Sequence, residues 1–449
     1  MRLHRVLFFL LLILLPVQLG RHFWPDFSLV FGLRVDYLSP TIYLTDLLVM
    51  GILVTWLFEM KKKRDKIHKR LKGYWWLGAV FAFLLLNAFL AQNQGAAFYK
   101  LIKIIEFTLL GFYVARNRPQ LSIFHFPLFS PRNKLCLSIA IVYSSFIAIA
   151  QLLKQASLDG VFWWLGERTF NDFTPGIARA VWDGRLIMRP YATFPHPNVL
   201  AGFILVVTIL LLGNFKSTNQ LINKLTNWKF GIGQLDDWII KAYWLLVFIL
   251  GLITLAISFS RSVWIVGILV CFWVIIRYLR KNKLNQKFLY FVVCILLFVL
   301  GAFFYSTLHL SVEEAISRRL YLNQIAIEMI QENPLIGVGL NNFIPRLPDY
   351  WQTPEAVRFL QPVHNIFLLV AAETGLVGLL IFLWFLISTF KNLLEIVPRS
   401  GIPPGGRNWK LVIPLLAILL LGVVDHYWLT LQQTQLLFTL ILGMSWAKY

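Results

Sequence analysis

The feature that most limits what this chain can become is a series of apolar runs, most of them about 18–23 residues long. A helix rises ~1.5 Å per residue, so about 20 such residues cross a hydrocarbon core ~30 Å thick. Lipid offers the backbone no hydrogen-bond partner, so runs of this kind must be helices. The runs fall at about 4–20, 41–58, 74–92, 97–115, 134–153, 192–213, 242–258, 262–279, 288–306, 365–389, 411–425 and 430–447. The expectation is an all-α, polytopic membrane bundle of about twelve transmembrane helices, a single integral membrane domain over 1–449. Composition agrees: 58% of residues are hydrophobic and 14% charged, against about 45–50% and 25% in soluble domains.

A net charge of +21 invites a nucleic-acid reading. The basic residues, however, sit in short loops between apolar runs, where the preference for basic cytoplasmic loops explains them without nucleic acid. With the N-terminus in the cytoplasm, the inside segments hold 28 basic and 5 acidic residues, and the outside segments 12 and 13. The opposite orientation breaks the positive-inside rule. Both termini are therefore expected in the cytoplasm, with loops 154–191 and 307–364 on the outer side. Of the twelve outer basic residues, eleven are Arg; of the 28 inner ones, seventeen are Lys. Arginine presents a planar fork matched to phosphate and carboxylate. The outer bias points to a phosphorylated ligand, or to pairing with the outer carboxylates.

Cys136, Cys271 and Cys294 lie inside apolar runs, which argues against a disulfide framework. Residues 6–19 read as a first span rather than a signal peptide, because Arg21-His22-Phe23-Trp24-Pro25 follows with no small-residue cleavage site. The long loop 307–364 predicts structure of its own. Ser311 and Glu314 form a capping box, and Leu322, Ile325, Ala326, Met329 and Ile330 recur at helical spacing before Asn333-Pro334. This describes an amphipathic helix, over the mouth of the bundle or packed plainly against it.

Charges inside the runs are costly, about 2.5–3.5 kcal/mol each on insertion scales, and mark partners or cavities. Asp46, Lys100, Lys103, Glu106 and Glu373 are such cases. Lys103 and Glu106, three apart, are placed to pair. Lys100 lies near the outer end of its run and is expected to snorkel. Glu373, beside Gly375 and Gly378, is placed to bond a neighbouring helix.

Four outer segments concentrate the remaining polar chemistry: Arg189 to Asn198 with His196, Ser258 to Ser262 with Arg261, Arg318-Arg319 with Asn333 to Phe343, and Pro362-Val363-His364-Asn365. Guanidiniums hold a diphosphate and take up the charge of a departing one. A neutral imidazole accepts a proton from a hydroxyl. Each also has a plain structural alternative: interfacial arginines anchor spans, and His196 between two prolines fits a rigid turn. No HExxH, carboxylate cluster or Cys/His spacing indicates a metal, and no P-loop indicates nucleotide hydrolysis.

These segments resemble, in order, those of the bacterial O-antigen ligase/O-antigen polymerase family. The matching pieces are Arg189…Thr193-Phe-Pro-His-Pro-Asn198, Ser260-Arg261-Ser262, Arg319…Asn333-Pro-Leu-Ile-Gly-Val-Gly339…Phe343 and His364-Asn365…Glu373-Thr-Gly375-Leu-Val-Gly378, covering about 185–390. The resemblance implies a bundle like the membrane glycosyltransferases of class C. It implies glycan transfer from an undecaprenyl-diphosphate-linked donor to an acceptor hydroxyl at the periplasmic face, inverting and metal-independent, with no cofactor. The acceptor would be lipid A core, another glycan or another envelope molecule, which leaves ligase and polymerase both open. It implies His364 as the catalytic base and Arg189, Arg261 and Arg319 as diphosphate ligands, with His196, Asn198, Asn365 and Glu373 in support. A transporter or flippase of lipid-linked glycans is the main alternative. It predicts duplicated halves and a midplane site, and neither is evident in the sequence. A non-catalytic envelope scaffold is the third reading.

Overall fold

The computed structural model describes residues 2–62, 75–121, 131–212, 235–281, 312–351, 360–394 and 409–447. The expected span at about 288–306 and the capping residue Ser311 lie outside them. The described chain is mostly helical. Its helices are α1 (Leu3–Ile13), α2 (Leu44–Lys62), α3 (Trp75–Leu90), α4 (Gln94–Leu121), α5 (Pro131–Lys154), α6 (Pro197–Leu212), α7 (Leu235–Ile257) and α8 (Arg261–Lys281). After these come α9 (Val312–Glu332), α10 (Phe343–Tyr350), α11 (Ile366–Leu394), α12 (Trp409–Gly422), the single turn α13 (Tyr427–Thr430) and α14 (Gln432–Ser445). Three small antiparallel pairs complete it: β1 (Gly20–His22) with β4 (Thr41–Tyr43), β2 (Leu29–Val30) with β3 (Leu33–Arg34), and β5 (Arg179–Trp182) with β6 (Arg185–Met188).

Among the described residues, α11 and the Lys134–Lys154 part of α5 are long and apolar enough to cross a bilayer; six further apolar helices are shorter. The residue pattern fits a lipid surround. Helix α2 buries Val49, Ile52, Leu53, Trp56 and Met60, yet exposes Leu47, Met50, Val54, Leu57 and Phe58. Helix α11 likewise exposes Leu376, Val377, Leu380, Trp384 and Ile387. A helix apolar on its outer face as well as its inner one suits lipid rather than water. The first expected span is shorter than its apolar run: α1 stops at Ile13. Pro16 cannot continue a helix and disfavours helical backbone at the residue before it. The chain then runs extended into β1.

The chain divides into two compact units. The first comprises Met1–Asn133, Glu313–Val412 and Gly422–Tyr449; the second comprises Lys134–Val312 and Ile413–Leu421. In the first, α4 and α14 pack closely, and a Cβ on Gly443 would lie 2.6 Å from the Gly111 carbonyl oxygen. Small residues of this kind let membrane helices approach. Lys103 pairs with Glu106 at 3.0 Å, as their spacing predicts, and also with Asp46 of α2 at 2.7 Å. The Lys100 ammonium donates to the Leu429 carbonyl. In the second unit α6 packs against α7 and α8 and is buried almost throughout.

Candidate functional site

In the second unit, the predicted arginine segment is held by a buried amide that the motifs do not announce. Gln151, fully buried near the end of α5, accepts the backbone N–H groups of Tyr191 (3.0 Å) and Ala192 (2.7 Å). Its own amide donates to the Ala192 carbonyl (3.0 Å) and to Glu167 (2.7 Å). Glu167 in turn accepts the N–H groups of Leu158 and Asp159 at 2.7 and 2.8 Å. This network fixes the path of 156–192. Arg189 leaves it with two bonds made: Nε donates to the Ser258 carbonyl and Nη2 to the Asn198 amide oxygen, both at 2.7 Å. His196 Nδ1 accepts the Asn198 N–H at 3.1 Å. Arg189, His196, Asn198 and the Ser258–Ser260 turn that leads into Arg261 are therefore one assembly. That turn is tight, with Phe259 at φ +50°.

In the first unit, the segments read from the sequence meet around a break in α11. Gly375 has φ 67° and ψ −176°, which splits the helix. The extended stretch after Asn333-Pro334 lies against the break at backbone contact. Val338 N–H donates to Ala372 O (2.8 Å), Gly339 N–H to Glu373 O (3.0 Å) and Leu376 N–H to Pro334 O (2.7 Å). Asn87 of α3, fully buried, closes the junction by accepting the Leu340 N–H (2.8 Å) and donating to the carbonyls of Ile336 (2.7 Å) and Glu373 (3.1 Å). The Glu373 carboxyl takes backbone hydrogen bonds from Asn341 and Phe343. Glu373 thus fastens the loop that leads into α10, not the neighbouring helix expected from its place beside two glycines. Below the loop, α9 buries Leu322, Ile325, Ala326 and Met329, the residues its periodicity marks.

His364 stands just above the first turn of α11. Asn365 caps that helix, its side-chain oxygen accepting the N–H groups of Phe367 (2.8 Å) and Leu368 (3.1 Å). The His364 ring meets that of His426 edge to face, centroids 5.0 Å apart, and His426 meets Tyr37 in the same way at 5.4 Å. Burial lowers the affinity of His364 for a proton; the Asp425 carboxylate opposes this and the Arg319 guanidinium adds to it. The imidazole is therefore held neutral at pH 7 and able to accept a proton. Its Nδ1 is buried without a partner. One ligand atom from each of His364, Asp425 and His426 lies within 4.8 Å of the other two. Asp425 and His426 belong to no motif in the sequence, and their signal there is a polar pair where the run at about 411–425 ends.

The class these features define is a helical membrane protein with a neutral histidine among charged partners beside a loop docked into a broken helix. Residues 246–383 match the O-antigen ligase family, a segment that contains Arg261, Arg319, the docked loop, His364 and Gly375. No curated protein matches the chain significantly.

Proposed function

We propose that this protein transfers a glycan from an undecaprenyl-diphosphate carrier to an acceptor hydroxyl at the periplasmic face of the inner membrane. The observation that carries the reading is His364: an imidazole whose buried Nδ1 has no partner, standing beside Asp425 and His426 inside the family segment. His364 takes the acceptor proton as the hydroxyl oxygen bonds to the anomeric carbon. The bond from that carbon to the diphosphate breaks on the opposite side, so the centre inverts. The carrier diphosphate leaves with the electron pair, and the resemblance assigns the uptake of its charge to Arg189, Arg261 and Arg319. The resemblance supports a reaction that needs no metal.

The test offers purified protein a diphosphate-linked oligosaccharide with lipid A core, free repeat units and a candidate protein as acceptors. Release of undecaprenyl diphosphate that requires an acceptor and is lost in His364→Ala supports the transferase. The labelled acceptor separates ligase from polymerase. Tight donor binding with no release under any acceptor would refute it and favour transport.

A further inference from the structure

We propose that His364, Asp425 and His426 form a binding site for a divalent transition-metal ion of the zinc type, and that occupying it withdraws His364 from catalysis. The first part stands on the cluster alone; the second rests on His364 being the base.

Two imidazoles and one carboxylate are a borderline-soft donor set, suited to zinc, cobalt or nickel rather than to magnesium or calcium. The three ligand atoms lie within 4.8 Å of one another. In a tetrahedral complex with bonds of about 2.0–2.2 Å, ligand atoms sit roughly 3.3–3.6 Å apart. Side-chain rotation of about an ångström closes that difference.

A second observation points the same way. The Nδ1 atom of His364 is buried with no hydrogen-bond partner, and a buried polar atom of this kind calls for one. His426 carries the orienting contact that metal-ligating histidines use: its Nδ1 meets the Thr430 hydroxyl at 2.7 Å, so an ion would take Nε2. Asp425 and His426 are buried, and one Asp425 oxygen is steadied by the His426 N–H at 2.9 Å. Arg319 opposes a cation here, and the Asp425 carboxylate offsets it. Three protein ligands leave a fourth position for water. An imidazole nitrogen bound to the ion has no lone pair left for an acceptor proton, so the ion and the transfer reaction compete.

The experiment uses the full chain in lipid nanodiscs, stripped with a chelator and titrated with Co2+. The expected result is one ion per chain, with the visible absorption of tetrahedral cobalt displaced by Zn2+. His426→Gln and Asp425→Asn should each weaken binding by about tenfold or more, while His22→Gln, at a histidine bonded to Thr41, leaves it unchanged. Crystals soaked in zinc give a readout that needs no variant: an anomalous peak about 2 Å from all three side chains. No saturable signal, a signal that survives both cluster substitutions, or a peak elsewhere would overturn the site. Zn2+ should also inhibit glycan release, with the chelator restoring it. If the ion binds and release is unaffected, the competition is refuted and the site stands. If cobalt binds and no glycan release is ever seen, the transferase reading fails independently.

Discussion

Replacing Gly375 by alanine should destabilise the protein more than any other single methyl addition in α11. The residue sits at φ 67° and ψ −176°, a region open essentially to glycine alone, where other residues pay about 1–3 kcal/mol. Space is the second difficulty. A Cβ there would lie 2.3 Å from the Leu335 carbonyl carbon and oxygen and 2.5 Å from the Ile336 nitrogen. These are backbone atoms and cannot rotate away. Relief requires lifting 334–339 off the break, which gives up the Val338–Ala372, Gly339–Glu373 and Leu376–Pro334 hydrogen bonds at about 1 kcal/mol each. The total is roughly 4–6 kcal/mol, in the range reserved for specific structural failures. Thermal denaturation in detergent reads it as a midpoint lowered on the order of 10 °C. Gly78→Ala in α3 is the control: its Cβ meets nothing within 4 Å, and helix propensity favours alanine by about 1 kcal/mol. A Gly375→Ala protein melting within about 2 °C of wild type would refute the docked-break reasoning.

Asn87→Ala removes one acceptor and two donor contacts from a fully buried junction; a loss of about 2–4 kcal/mol is expected in chemical denaturation, and a neutral result would sink the role given to this amide. Gln151→Met keeps the volume but leaves the N–H groups of Tyr191 and Ala192 without their acceptor. It should lower donor affinity through Arg189 as well as the melting midpoint, and unchanged affinity would separate Arg189 from the network. Tyr350 has its phenol pushed up to about 12, by burial first and then by Glu332. Because the folded value is raised, its contribution to stability is complete below pH ~10 and is lost as pH rises through 12. Phenolate absorbance compared with Tyr350→Phe should place this ionisation at about 12, and a titration at the ordinary value would contradict it.

Sequence periodicity carries local facts well. The buried face of α9, the Lys103–Glu106 pair and the helix end before Pro334 each depend on residues within a turn or two of each other, which is the range over which spacing fixes contact. What escaped it are contacts between distant residues. Asn87 bonds partners 249 and 286 residues away, and nothing in an apolar run tells its amide from one bonded to its own helix. Lys100 lies near the outer end of its run, yet the Leu429 carbonyl captures it. Asp425-His426 follow His364 by some sixty positions in the chain. No ligand spacing was visible because α11 and α12, not a short loop, bring the three together.

The two unannounced amides answer one physical problem. Non-helical backbone close to the membrane is tolerated only where protein satisfies it. Asn87 does this for the loop docked at Gly375, and Gln151 for the turn that follows Arg189. Each lies one step behind a residue proposed to touch substrate. The half of α11 above the break runs only from Ile366 to Thr374, and His364 stands on top of it. So short a segment holds direction through its lower attachment, which is the junction closed by Asn87. A catalytic group must be held to within about 0.5 Å. Asn87→Asp is therefore the informative variant. It retains the acceptor for Leu340 and loses the donor to Ile336 and Glu373, so glycan release should fall while donor binding through the arginines persists. If binding falls in step with release, the break positions substrate and not the base.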